Sequence, residues 1–272
     1  QQVEVSVEFE NRCEDHYLRA MFPTGLSGAS HVDAGGHFSV DRRPIRPLGP
    51  TDDVVWPDMA TLPQNNFVDI SDGENGIAFL NDSLTEYEVV DTEQRVLALS
   101  LLRAVSNWVC TETRVGSGWP SQKGGQCLGV HKIRYAIRPH GGNWNIADAP
   151  MHADFFNVPL RLVQTRTWAG SLPGRQASLY AMDNPKIRFG ALKKTEDRDT
   201  CIFRLYNPTE EIQHGRLSFA ADIHRAWLTN LNEERGEELN LTDTHGLALT
   251  VHPRKIVTVE LEMKKPPFGK AG

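Results

Sequence analysis

At 272 residues the chain has room for one large domain or two small ones, and a chain of this length buries roughly three-quarters of its unfolded surface. Hydrophobic content of 39% and charged content of 24% exclude a disordered chain, and 29 Lys+Arg against 35 Asp+Glu, a formal charge of −6, exclude the basic surface of a nucleic-acid binder. No apolar run reaches the roughly 18 residues of a membrane span, and the opening QQVEVSVEFENRCED lacks a basic region followed by an apolar one, so neither a membrane partner nor a signal peptide is expected.

In chain order, VEVSVEF (from Val3) alternates strictly, with Val3, Val5, Val7 and Phe9 on one face and Glu4, Ser6 and Glu8 on the other. That is the pattern of a half-buried antiparallel strand, and its lack of a leading Met suggests a processed or excised piece. The same reading fits LRAMF at Leu18, HFSVDR at His37, NFVDIS at Asn66, GIAFLN at Gly76 and VLALSLL at Val96. It continues with HKIRYAI at His131, SLYAM at Ser178, CIFRLY at Cys201, GRLSFA at Gly215, RAWLTN at Arg225, GLALTV at Gly246 and KIVTVEL at Lys255. Turn signals such as Asp72-Gly73, Asn75-Gly76, Pro173-Gly174 and Asn207-Pro208 separate them. Only Asn145 to Phe156 suits a helix, with Pro150 in its first turn or as a break. Short strands at near-regular spacing predict an all-β fold, a large antiparallel sandwich.

Two long connections, Arg43 to Pro63 and Thr111 to Gly129, are too rich in Pro or Gly for central strands. Trp56 and Trp119 within them suggest packing against something outside the loop. The four cysteines, Cys13, Cys110, Cys127 and Cys201, form no CxxC pair, and sparse thiols of this kind suit a reduced, cytoplasmic chain.

Motifs for nucleotide, zinc-protease, serine-hydrolase and calcium chemistry are absent from the sequence. His31, Asp33 and His37 lie close together, but a metal needs three or four ligands and a solvated strand end is the commoner meaning. Asp69, Asp72, Asp82 and Glu86 are candidate paired carboxylates for glycoside chemistry. Asp72 belongs to an Asp-Gly turn, where its side chain normally caps backbone, and Asp82 follows Asn81 at a second turn.

A further signal lies in longer runs. HYLRAMFPTGL at His16, SHVDAGGHFSVDRRPI at Ser30 and LPQNNFVDISDGENGIAFLNDSLTEYEV at Leu62 resemble the C-terminal β-region of glycoside hydrolase family 38, the retaining α-mannosidases. LALSLLRAVSNW at Leu97, GGQCLGVHKIRYAIRPHGGNW at Gly124, FGALKKTEDRDTCIFRLYNPTEE at Phe189 and AWLTNLNEER at Ala226 follow in the family's order. Within the family the chain is most similar to the bacterial branch that includes mannosylglycerate hydrolases.

The resemblance implies a galactose-mutarotase-like supersandwich over residues 1–188 and a smaller C-terminal β-sandwich over 189–272 packed on it. It also implies that the catalytic nucleophile and a zinc ion belong to an N-terminal barrel domain whose motifs this chain lacks. No cofactor and no catalytic residue is therefore expected here, and the chain alone is expected to be inactive. The expected partners are that barrel domain, an α-mannoside substrate and further copies in a homo-oligomer. The edge Asn81 to Glu88 (NDSLTEYE) is the expected approach to the sugar, with Tyr87, Glu86 and Asp82 as substrate-binding residues. Arg43 and Arg103 are secondary candidates, suited to an anionic aglycone by bidentate pairing. The competing function is a free-standing carbohydrate-binding module using some of the six tryptophans. A mutarotase-like enzyme ranks last, because no His/Glu constellation can be assembled from the spacing.

Thiol titration under denaturing, non-reducing conditions should count four reactive groups, one for each cysteine. A count of two or none would contradict the reduced compartment.

Overall fold

The computed structural model describes residues 1–45, 60–106, 123–166 and 176–264. Cys110, Trp56, Trp108, Trp119 and Trp168 lie outside the described residues, and with them the expectations placed on Trp56 and Trp119. Strands are the main regular structure among the described residues, which divide into two compact units.

The first unit holds ten strands: β1 (Val3–Asn11), β2 (Tyr17–Pro23), β3 (His31–Gly35), β4 (Val40–Pro44), β5 (Leu62–Pro63), β6 (Phe67–Ser71), β7 (Asn75–Asn81), β8 (Glu86–Val90), β9 (Val96–Arg103) and β10 (Gly129–Gly141). They form a six-stranded sheet in the order β1-β10-β7-β6-β3-β4 and a four-stranded sheet in the order β2-β9-β8-β5. Side-chain alternation aims one face of each sheet at a shared core. The larger sheet supplies Val32, Ala34, Val68, Ile70, Phe79, Ile133 and Tyr135, and the smaller supplies Tyr87, Leu97 and Leu99. Phe22 of β2 ties the two layers, its ring 5.0 Å from Phe79 and 5.8 Å from Tyr135. Val5, Val7 and Phe9 join this core as their alternation predicts, while Val3 at the end of its strand stays 62% exposed.

The opposite face of the six-stranded sheet is covered by α1 (Ala149–Asn157), which packs on β6 and β7. Pro150 stands in its first turn, where a missing N–H costs no helical hydrogen bond. Covered on both faces, β6 is buried along nearly its whole length, Asp69 included.

The second unit contains β11 (Tyr180–Met182), β12 (Arg188–Lys194), β13 (Cys201–Tyr206), β14 (Gln213–Phe219), β15 (Ile223–Thr229), β16 (Arg235–Leu239), β17 (Leu241–Asp243), β18 (Gly246–Val251) and β19 (Ile256–Met263). A four-stranded sheet, β11-β14-β18-β17, faces a five-stranded one, β12-β13-β19-β15-β16. Phe203, Leu205, Val259 and Leu261 of one meet Leu217, Leu247, Leu249 and Val251 of the other. The division falls at Arg161/Leu162, and Phe38–Val40 belong with the second unit, where the Phe38 ring stands edge-on to Tyr206. The expected boundary at 188/189 lies inside this unit, because Tyr180–Met182 is hydrogen-bonded in register with Leu217–Phe219.

One buried charge organises the five-stranded sheet. Glu260, with no exposed surface, accepts bidentate pairs from Arg198 (2.9 and 3.0 Å) and Arg235 (3.1 and 2.7 Å), and a third partner, Thr200, donates at 2.6 Å. Arg235 stacks on Trp227, 3.7 Å from the ring centroid. Burial alone would raise the pKa of Glu260, but these donors outweigh it and hold the group down at about 2, against an ordinary 4.5. A carboxyl depressed in this way contributes stability that is full above its ordinary value and is lost as pH falls toward 2. Acid denaturation of the second unit should therefore steepen between about pH 4.5 and 2, and Glu260→Gln should flatten that limb. The same variant at neutral pH should lose roughly 3–5 kcal/mol, the usual cost of breaking a buried pair from one side. Unfolding followed by circular dichroism checks both, and an unchanged acid limb would contradict the assignment.

Candidate functional site

The start of β8 is set by Asn81. Its side chain, fully buried, donates to Gln64 Oε1 at 2.7 Å and accepts from the Leu84 N–H at 2.8 Å, closing the turn between β7 and β8. From there alternation separates the expected site residues. Tyr87 points into the core at 1% exposure, while Glu86 and Glu88 point to the outer face of the four-stranded sheet. The Tyr87 hydroxyl accepts from Arg43 Nη1 at 3.3 Å, and the same nitrogen donates to the Pro63 carbonyl at 2.6 Å. Burial raises the phenol's pKa despite the neighbouring guanidinium, so it stays a neutral hydrogen-bonding group.

Glu86 and Arg103 meet on the outer face. Glu86 Oε1 accepts from Tyr17 Oη at 2.7 Å, Ser100 Oγ at 2.7 Å and Arg103 Nη2 at 2.8 Å. Arg103 also lies 4.4 Å from the Tyr17 ring centroid, with Arg19 at 4.9 Å from the same ring, and Arg19 pairs with Glu88 at 2.5 Å. Burial works against the charge on Arg103, yet its bonds to Tyr17 and Glu86 outweigh that and hold its pKa above the ordinary value. A cleft of about 280 Å³ opens beside it, lined by Asp15, His16, Tyr17, Arg103, Ala104 and Val105. Asp15 accepts from Gln126 Nε2 and from Ser106 N and Oγ, which pull its carboxyl below the usual range. The arrangement is a rigid, partly exposed hydrogen-bonding surface of mixed charge with one aromatic face, suited to binding hydroxyl groups. Tyr17 and Ser100 were not singled out from the sequence; the outward alternation of Tyr17 and Arg19 along β2 is the signal that marks the first.

Asp82 stands apart, 3.7 Å from Arg134. Asp72 caps its turn as expected, accepting from the Glu74 and Asn75 N–H groups at 3.0 and 2.8 Å. Asp69 is not a solvent-facing carboxylate: its Oδ2 lies 2.6 Å from His140 Nε2 on the covered face. Burial raises the Asp69 pKa, only partly offset by His140, and His140, penalised by burial, is raised overall by Asp69. Position 76 must be glycine for this contact, since a Cβ there would meet the His140 ring at 2.2 Å. Asp33 is held bidentate by Arg42 at 2.9 and 3.0 Å, and His31 bonds Ser30 at 2.8 Å. Among the described residues no three His, Cys, Asp or Glu side chains gather as a metal donor set. Cys13, Cys127 and Cys201 are free, and Trp144 and Trp227 are buried.

Comparison with known proteins finds two models of one family. The glycosyl hydrolases family 38 C-terminal domain matches residues 1–107, and the family 38 C-terminal beta sandwich domain matches residues 186–259. A protein of Halalkalibacterium halodurans named "Putative mannosylglycerate hydrolase" is 26% identical over 268 residues, which are 96% of this chain and 27% of that protein. Mouse alpha-mannosidase 2C1 is 26% identical over 208 residues, 75% of this chain and 18% of its own. The chain thus spans about a quarter or less of the length of these relatives. The crystal structure of an alpha-mannosidase from Enterococcus faecalis V583 has the same fold, with a TM-score of 0.76 at 23% identity over 96% of this chain and 27% of that one.

Because Tyr87 fills core volume and its hydroxyl has a single modest bond, Tyr87→Phe should cost about 1 kcal/mol or less. Tyr87→Ala should cost roughly 3–5 kcal/mol through the cavity it leaves. Urea denaturation measures both; equal costs would show that the hydroxyl matters more than the ring.

Proposed function

Because the chain belongs to the C-terminal β-region of glycoside hydrolase family 38, we propose that it is the non-catalytic wall of a retaining α-mannosidase. In this reading it packs on a catalytic barrel domain and completes that domain's substrate pocket. The observation that carries the reading is the pair of family models, matched at the two ends of the chain in family order. Retention needs a nucleophile and an acid/base about 5 Å apart, and the reading assigns both, with zinc, to the remainder of a longer protein.

Within this chain we assign the sugar-facing role to Glu86, Arg103 and Tyr17. Three donors on Glu86 Oε1 fix the carboxylate before any ligand arrives, so its second oxygen meets a hydroxyl without an ordering cost. Arg43 and Tyr87 brace the same strand from inside, and Asp82 belongs to the Arg134 side of the sheet. A cytoplasmic site of action is part of the reading and is supported by the free thiols of Cys13, Cys127 and Cys201.

The chain alone should hold no stoichiometric zinc by elemental analysis and release no phenolate from an aryl α-mannoside. Mixed with the separately produced remainder of the longer protein, it should restore turnover. Arg103→Gln should lower that restored turnover at least tenfold, on the order of the 1.4 kcal/mol of one charge-assisted bond. One bound zinc in the chain alone, with turnover abolished by a chelator, would place the active site here and contradict the proposal.

A further inference from the structure

A second concave site lies on the other side of the first unit, where α1 passes the edge strand β1. It is a cleft of about 320 Å³ lined by Gln2, Glu4, Arg134, His152, Phe155, Phe156 and Pro159. The two sheet residues come from neighbouring strands: Glu4 lies on β1 opposite Ala136, and Arg134 lies two residues earlier on β10, so both project to the same outer face. Phe155 presents its ring to solvent at 65% exposure, unusual for a helical phenylalanine beside a packed sheet. The Phe156 ring, buried behind it, is faced by the Arg134 guanidinium at 4.9 Å. Gln2 Nε2 donates to Glu4 Oε1 at 2.9 Å, which orients the carboxylate along the rim.

The chemistry of this lining selects among ligands. Arg134 already lies 3.7 Å from Asp82 and shares the rim with Glu4, so one guanidinium stands among two carboxylates and the cleft is no anion site. Donors (Arg134, the Gln2 amide) and an acceptor (Glu4) line the cleft together with an exposed aromatic ring. That combination fits a neutral polyhydroxylated ring, whose hydroxyls both donate and accept and whose C–H face packs on an aromatic.

We propose that the cleft between α1 and β1 is a saccharide-binding site, separate from the Glu86–Arg103 surface, in which a pyranose packs on Phe155 and bonds to Glu4 and Arg134. The site stands on its own geometry; only the choice of an α-mannoside as the first probe rests on the proposed function. A single neutral sugar on an open cleft binds weakly, with a dissociation constant on the order of millimolar.

Saturation-transfer and amide chemical-shift NMR on the full chain test this with methyl α-mannoside, α-glucoside and α-galactoside. Glucuronate and tetramethylammonium serve as anionic and cationic comparisons. At least one neutral glycoside should shift amides of 152–158 and of β1, and Phe155→Ala should weaken it at least tenfold. Arg134→Lys, which keeps the charge and the fold, should weaken it less. No glycoside binding, binding indifferent to Phe155→Ala, or preference for either ion would overturn the proposal. Each of those failures leaves the turnover experiment on the mixed protein untouched, so the two readings fail separately.

Discussion

Strict two-residue alternation on β8 places Tyr87 in the core and Glu86 on the outer face, and the rest of the first unit is arranged around that constraint. Tyr87 pairs with Leu99 across the ladder, and both pack against residues of the six-stranded sheet. A slip of one residue would drive the Glu86 carboxylate among Leu97, Phe79 and Ile70 and expose the phenol. Register is therefore fixed by burial, and the outer cluster of Glu86, Ser100, Tyr17 and Arg103 inherits its rigidity from the core behind it. The Arg43–Pro63 bond and the Asn81–Gln64 pair hold the two ends of the same hairpin region.

The two units solve the problem of polar groups near a β-core differently. In the second, an ionised Glu260 is kept charged by two guanidiniums and a hydroxyl, a fully satisfied network. In the first, Asp69 meets a single imidazole, and its second oxygen has no hydrogen-bond partner among the described residues. The Glu260 network favours ionisation. Around Asp69 burial wins over the imidazole and raises the carboxyl's pKa. Both carboxylates have no exposed side-chain surface, so both act on the fold.

Half-buried strands were legible because one face is wet: VEVSVEF and GLALTV are read directly as β1 and β18. HFSVDR at His37 was read as one strand, whereas the chain folds it into Phe38–Val40 of the second unit and the start of β4, a split that no local pattern encodes. β16 and β17 were missed because their residues are largely exposed, and β12 because a register shift between Phe189 and Ala191 breaks its alternation. The candidate site was legible in part. Glu86 and Arg103 were chosen and do converge, but Tyr87 was assigned to the sugar, and only the register decides that it faces inward. Asp82 was grouped with them by sequence proximity, yet the turn after β7 sends it toward Arg134. Asp69–His140 and Glu260–Arg198 join residues far apart in the chain, and a single sequence has no means of pairing them.

The proposed function puts a catalytic domain over the outer face of the four-stranded sheet and leaves the cleft at Phe155 open. Hydroxyl-radical footprinting of this chain, alone and mixed with the separately produced remainder of the longer protein, tests it directly through oxidation of Tyr17, Met21 and Phe155. All three are exposed here, at 37, 47 and 65%. Oxidation of Tyr17 and Met21 should slow several-fold in the mixture while that of Phe155 does not change. A bound complex in which Tyr17 and Met21 oxidise at the rate of the isolated chain would contradict it.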